Sequence, residues 1–236
     1  DGRRKVVYTA DVVPDSTVLA MDPVPPCDCL VLDASYGDDA VSGAERGRSI
    51  RDWIGNHPSG CLLPVPLSGK PLELMAILPD RFAIHAGMRA PIAAQIAAKA
   101  AFLPGVGAML TGRLARAADW NDGDALPDCP LLTFDGMGSA GPSVEAIGRA
   151  AQAGHPILLT GHIPPNTPAS ALFEAGRAAW IRLPTHPTRQ ANVDIWMRAG
   201  KPAALGHSCT PSGLQALKSY LPALNDAMRS GQHLLV

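Results

Sequence analysis

Short apolar runs alternate along this chain with segments of helical pattern, and that alternation restricts the fold more than any other feature. Runs of four or five residues occur at Cys29 to Asp33, Gly60 to Pro64, Arg81 to His85, Leu131 to Phe134, Pro156 to Thr160, Ala179 to Leu183 and Pro202 to Leu205. These are strand lengths, and Lys5 to Ala10 opens the chain with a further β-rich run. Between them lie helix-patterned segments at Ala44 to Gly55, Pro71 to Leu78, an alanine-rich Pro91 to Phe102, and Gln190 to Ala199. Two more begin at Pro142 and Pro211, placing proline in the first turn, where its missing N–H is harmless. Strands joined through helices pair in parallel, so the expectation is an α/β fold with a mainly parallel, doubly wound sheet covered on both faces. Residues 104–130 carry weak periodicity and several turn residues, which predicts an irregular connection with one short helix.

At 236 residues the chain is long enough for two modest domains. Hydrophobic residues make up 47% and charged residues 17%, too apolar for a disordered chain. No apolar stretch approaches the ~20 residues a bilayer span needs, and no signal segment opens the sequence, so a cytoplasmic protein without a membrane partner is expected. The five cysteines are an odd set without a CxxC pair, which predicts reduced, mostly buried thiols. Twenty basic against twenty-one acidic residues give a net charge of −1, so any nucleic-acid groove must be local. The four tryptophans are expected in the core or at a domain interface.

Four polar residues stand where strands give way to loops: Asp11, Asp33, His186 and His207. Open α/β sheets build their sites at such carboxyl ends, although an Asp there commonly serves only as a turn or helix cap. The acids and the histidines form two sequence pairs, each separated by about one return excursion through a sheet. His57, His85, His155 and His233 receive no role, and His162 ends a strand.

These positions carry a resemblance. Thr9-Ala-Asp11 resembles a strand-end Gly-Asp, and Leu32-Asp-Ala-Ser-Tyr-Gly-Asp38 is similar to an acidic residue followed by Ser or Thr and Tyr-Gly. Leu63 to Leu74 resembles a strand, a Gly-basic turn at Gly69-Lys70 and a helix bearing Glu-Leu. Leu132 to Ser143 resembles a strand and a Ser-Gly-Met-x-x-Gly-Gly turn, with Phe134-Asp135 where small hydroxyl residues are usual; Ile157 to Gly161 resembles the strand that follows. Pro184-Thr-His186-Pro-Thr188 looks like a Ser-x-His motif, and Leu205-Gly-His207-Ser208 like Val-His-Gly before a helix. Together they resemble the second half of a β-CASP nuclease of the metallo-β-lactamase fold.

The resemblance implies a β-CASP domain at residues 37–179, inserted in the second half of a metallo-β-lactamase αββα domain at residues 1–36 and 180–236. It implies a zinc-dependent phosphodiesterase in which two zinc ions activate a water for in-line attack, with RNA the preferred substrate over DNA. Asp11 and His207 would be metal ligands, His186 the general acid and Asp33 its orienting partner. Lys70, His162 and the turn bearing Gly136, Gly138, Ser139, Gly141 and Ser143 would meet substrate phosphates through backbone N–H groups and charge. The family's HxHxDH motif, which supplies most zinc ligands, does not occur in these 236 residues. Two protein ligands do not hold a catalytic zinc centre, so the first half is expected on the same or a second polypeptide. The alternative is a non-catalytic relative that binds nucleic acid or a partner nuclease as a scaffold, and a homodimer is a further open partner. Another α/β hydrolase using Ser or Cys is disfavoured, as the G-x-S-x-G nucleophile elbow is lacking.

Overall fold

The computed structural model describes residues 4–227, the side chain of residue 99 excepted. In chain order the elements are β1 (Val6–Tyr8), β2 (Cys29–Asp33), α1 (Gly43–Gly55), β3 (Cys61–Pro64), α2 (Lys70–Ile77), β4 (Ala83–His85), α3 (Arg89–Ala97), α4 (Val106–Arg116) and β5 (Ala118–Trp120). They continue with β6 (Pro130–Thr133), α5 (Pro142–Ala153), β7 (Leu158–Leu159), α6 (Pro168–Glu174), β8 (Ala179–Trp180), α7 (Arg189–Arg198), β9 (Ala203–His207), α8 (Pro211–Lys218) and β10 (Leu224–Asn225). Single turns of 3-10 helix occupy Ala86–Met88 and Lys99–Ala101. The fold is α/β with parallel sheets, as the alternation of strand and helix predicts.

The chain divides into two compact units. One comprises residues 1–16, 20–42 and 184–236, and the other residues 17–19 and 43–183. The division falls after Ser42 and Leu183, where the resemblance implied 36 and 179.

In the first unit four strands pair in the order β1-β2-β9-β10, all in parallel. β2 (CLVLD) is buried along nearly its whole length, as a central parallel strand must be when helices cover it. Its Leu30 and Leu32 join Ala204 of β9, Ile195 of α7, and Leu214 and Leu217 of α8 in one apolar cluster. The helices are placed by their caps: the Thr188 hydroxyl accepts the Ala191 N–H and the Thr210 hydroxyl accepts the Gly213 N–H, each satisfying an orphan first-turn donor.

The second unit holds a parallel sheet in the order β3-β6-β4-β5, with the parallel pair β7-β8 tied to it by the Leu62–Ile157 bridge. β3 (CLLP) and β6 (PLLT) are buried at every position. Because side chains alternate along a strand, Leu63, Ile84 and Leu132 enter one apolar cluster with the α2 and α3 residues Leu74, Met75 and Ile92. Leu62, Ala83 and Leu131 enter another with Ala146, Ile147 and Ala150 of α5. The sheet is therefore covered on both faces.

Several sequence expectations are corrected. Residues 104–130 are more ordered than weak periodicity suggests: α4 is an eleven-residue helix and β5 follows it. Leu110 and Leu114 bury one stripe of α4, and Arg113 in its last turn donates to the Leu78 and Pro79 carbonyls that follow α2. The alanine-rich helix stops at Ala97 and does not reach Phe102. The opening strand ends at Tyr8, and Ala10, with φ of 52°, turns the chain before Asp11. α6 and β10 had no clear sequence signal. Trp120 is core as expected, but Trp180 is 37% exposed. The five cysteines are all free thiols. No helix among the described residues is long and apolar enough to cross a membrane, and His233 lies outside them.

Gly60 shows how tightly the two central strands of the second unit are joined. Its φ is 96°, and a Cβ there would lie 2.9 Å from the Cys129 nitrogen and 3.0 Å from its oxygen. Backbone cannot yield as a side chain can. Gly60→Ala is expected to destabilise this unit by about 1–3 kcal/mol, seen as a lower thermal unfolding midpoint; an unchanged midpoint would count against the packing described.

Candidate functional site

The carboxyl edge of the first unit's sheet gathers the sequence-predicted residues. β2 and β9 run in parallel register with Asp33 opposite His207, so an acid and a histidine stand side by side where both strands end. The Asp33 side chain is fully buried. A buried carboxylate is tolerated only when its oxygens find donors. Oδ1 accepts from the Ser35 hydroxyl at 2.5 Å and from the Ser35 N–H at 3.0 Å, and Oδ2 lies 2.7 Å from His186 Nδ1. Its backbone is held as well: the Asp33 N–H donates to the Thr9 hydroxyl, and buried Asn192 on α7 donates to the Asp33 carbonyl at 2.9 Å.

His186 sits in the loop before α7, which is pinned from both sides. The Thr185 N–H donates to the Tyr36 hydroxyl at 3.1 Å, the Tyr36 ring meets the His186 ring edge-on at 5.1 Å, and the Arg189 N–H donates to the Asp39 carbonyl. The Ser35-Tyr36-Gly37 turn thus serves both residues of the pair. Gly37 is required there: its φ is 54°, and a Cβ would stand 3.1 Å from Gly213 at the start of α8. With Nδ1 facing Asp33, that nitrogen carries the donated hydrogen and Nε2 remains for exchange with another group.

Asp11 is exposed beside this pair. Ligand atoms of Asp11, Asp33 and His186 all lie within 4.8 Å of one another, a grouping that could hold a cation. The donors differ in availability, however. Asp33 is committed on both oxygens, whereas the Asp11 carboxylate makes no hydrogen bond among the described residues. His207 lies outside the trio; its Nδ1 is 3.0 Å from the Ser208 hydroxyl, and its Nε2 is buried without a partner. Carboxylate oxygen and imidazole nitrogen are donor types that zinc accepts, but the grouping the geometry brings together is Asp11, Asp33 and His186, without His207. Asp33 fits better as the group that orients His186.

The residues expected to meet substrate phosphates lie in the second unit. The turn bearing Gly136, Gly138, Ser139 and Gly141 is closed on itself, because the Asp135 carboxylate accepts the Met137 N–H at 3.0 Å and the Ser139 N–H at 3.1 Å. Ser143 is buried, with its hydroxyl 2.8 Å from that of Thr133. Lys70 is buried too, its ammonium donating to the Thr160 carbonyl at 2.8 Å rather than standing in solvent. His162 lines a surface pocket with Phe173, Trp180 and Arg182, none of which the sequence singled out. Their separation along the chain hides that grouping.

No protein-family model matches the chain, and no curated protein matches it.

Burial, with a smaller contribution from nearby Arg182, lowers the Lys70 pKa from 10.5 to about 8. Between those values the unfolded chain binds a proton that the folded chain does not, so the contribution of this group to stability rises with pH across that window and the charge is a burden below it. Burial also pushes the Cys61 thiol from 9.0 to about 12, which opposes this trend above pH 9. Comparing wild type with Lys70→Met cancels the Cys61 effect. Wild type is expected to gain on the variant by roughly 3 kcal/mol from pH 8 to 10.5, measured by chemical denaturation; a constant difference would show that Lys70 does not titrate in this window.

Proposed function

We propose that this chain carries the general-acid pair and two metal donors of a zinc-dependent phosphodiesterase of the β-CASP type, a nuclease acting on RNA in preference to DNA. The observation that carries the proposal is the buried Asp33 carboxylate 2.7 Å from His186 Nδ1 at the carboxyl edge of a parallel sheet, with Asp11 beside the pair. Residues 1–36 and 180–236 would belong to the metallo-β-lactamase domain and residues 37–179 to the β-CASP domain.

Cleavage of a phosphodiester needs a proton for the oxygen that leaves. Asp33 accepts the Nδ1 hydrogen and fixes the His186 ring, and the His186 Nε2–H then donates to the leaving oxygen as the P–O bond breaks. The His186 side chain is 25% exposed, enough for that transfer, while its partner is sealed from water. Asp11 and His207 would hold metal together with ligands from an HxHxDH segment outside these 236 residues. When bound, the metal supplies charge neutralisation on the phosphoryl oxygens and a nucleophile at neutral pH.

The test uses a polypeptide that includes the HxHxDH segment, or that segment supplied as a second chain. His186→Ala is expected to slow cleavage of single-stranded RNA about 10²- to 10⁴-fold while bound zinc is unchanged. His207→Ala and Asp11→Asn are expected to lower zinc content along with activity. Wild-type rates in all three variants would refute the assignment. Nucleic-acid binding with neither zinc nor cleavage in the wild type would instead establish a scaffold.

A further inference from the structure

The second unit carries a pocket of about 410 Å³ whose wall includes His162, Phe173, Glu174, Trp180 and Arg182. Trp180 is 37% exposed and Phe173 44%, so each presents part of its side chain to solvent. The two rings meet edge-on, with centroids 6.3 Å apart, and the Arg182 guanidinium stands over the Trp180 ring at 5.1 Å. The indole is held in place, because its N–H donates to the Gly161 carbonyl at 2.8 Å. An exposed ring with a fixed orientation is a preorganised stacking surface.

Positive charge lies behind that surface. Lys70 donates to the carbonyl of Thr160, the residue before Gly161, and a Cβ on Gly161 would be 3.3 Å from its ammonium. Lys70 makes no ion pair among the described residues, and Arg182 is close enough to disfavour its charged form. Two cations beside a fixed aromatic plane favour a ligand that is flat and carries negative charge. Glu174 adds a carboxylate acceptor, which suits the amino group of a base and opposes a bare anion.

We propose that this pocket binds a base of single-stranded nucleic acid, stacked on Trp180 and flanked by Phe173, with its phosphate drawn toward Arg182. The choice of ligand class rests on the nuclease assignment above, but the pocket belongs to the second unit and requires neither zinc nor cleavage.

Binding is therefore measured with EDTA present, by fluorescence anisotropy of a labelled ten-nucleotide oligo(A) RNA on the 236-residue chain. Trp180→Ala is expected to weaken binding roughly tenfold, a usual loss for one stacked base, while Trp180→Phe keeps a ring and stays within about threefold of wild type. An abasic oligomer of equal length should bind wild type as weakly as oligo(A) binds Trp180→Ala. Arg182→Ala should weaken binding and flatten its salt dependence. Wild-type affinity in a Trp180→Ala variant of unchanged thermal midpoint would overturn the proposal, as would equal binding of the abasic oligomer, or no binding of oligo(A) by wild type. Because zinc is chelated throughout, these outcomes stand apart from loss of metal or cleavage in the His186 and His207 variants.

Discussion

A carboxylate buried at the end of β2 sets the terms for everything around it. Asp33 cannot keep its charge out of water without donors, and each donor fixes a different part of the first unit. Ser35 closes the turn after the strand, His186 ties in a loop 153 residues away, and Asn192 on α7 clamps the same residue from its backbone side. Removing any one of these leaves a buried polar group short of a partner, which costs more than the missing hydrogen bond itself. The geometry of the candidate site is thus a consequence of satisfying one charge.

The second unit meets a related constraint with a cation. Lys70 is buried on α2 with the Thr160 carbonyl as its hydrogen-bond partner among the described residues, and its ammonium stands near Arg182. Such an arrangement weakens the folded state below the lowered pKa of Lys70. Its neighbourhood also holds the fixed indole of Trp180 and the pocket around it. Charge and aromatic surface therefore converge on one edge of this unit through residues that are scattered in sequence.

Local pattern made much of the architecture legible. β2 runs from Cys29 to Asp33 as its residue pattern indicates, and Pro142 and Pro211 mark helix starts by well-understood chemistry. α4 was expected only as one short helix in an irregular connection, because its buried stripe is narrow and Pro104 and Gly105 precede it. The glycine-rich turn carries a different ambiguity. Its N–H groups do face a carboxylate, but the carboxylate is that of Asp135, and sequence does not say whether such a turn is satisfied from within.

What the sequence determined by itself is the alternation of strand and helix and the placement of Asp33 and His207 at strand ends, whereas Asp11 and His186 lie in loops beyond theirs, because periodicity and turn chemistry are local properties. Only the tertiary structure decided that Asp33 holds His186, that His207 keeps a buried nitrogen without a partner, that Lys70 lies inside, and that Trp180 faces out. Those outcomes depend on which strands lie side by side and which oxygen finds which hydrogen, and such pairings are settled by packing between residues far apart along the chain.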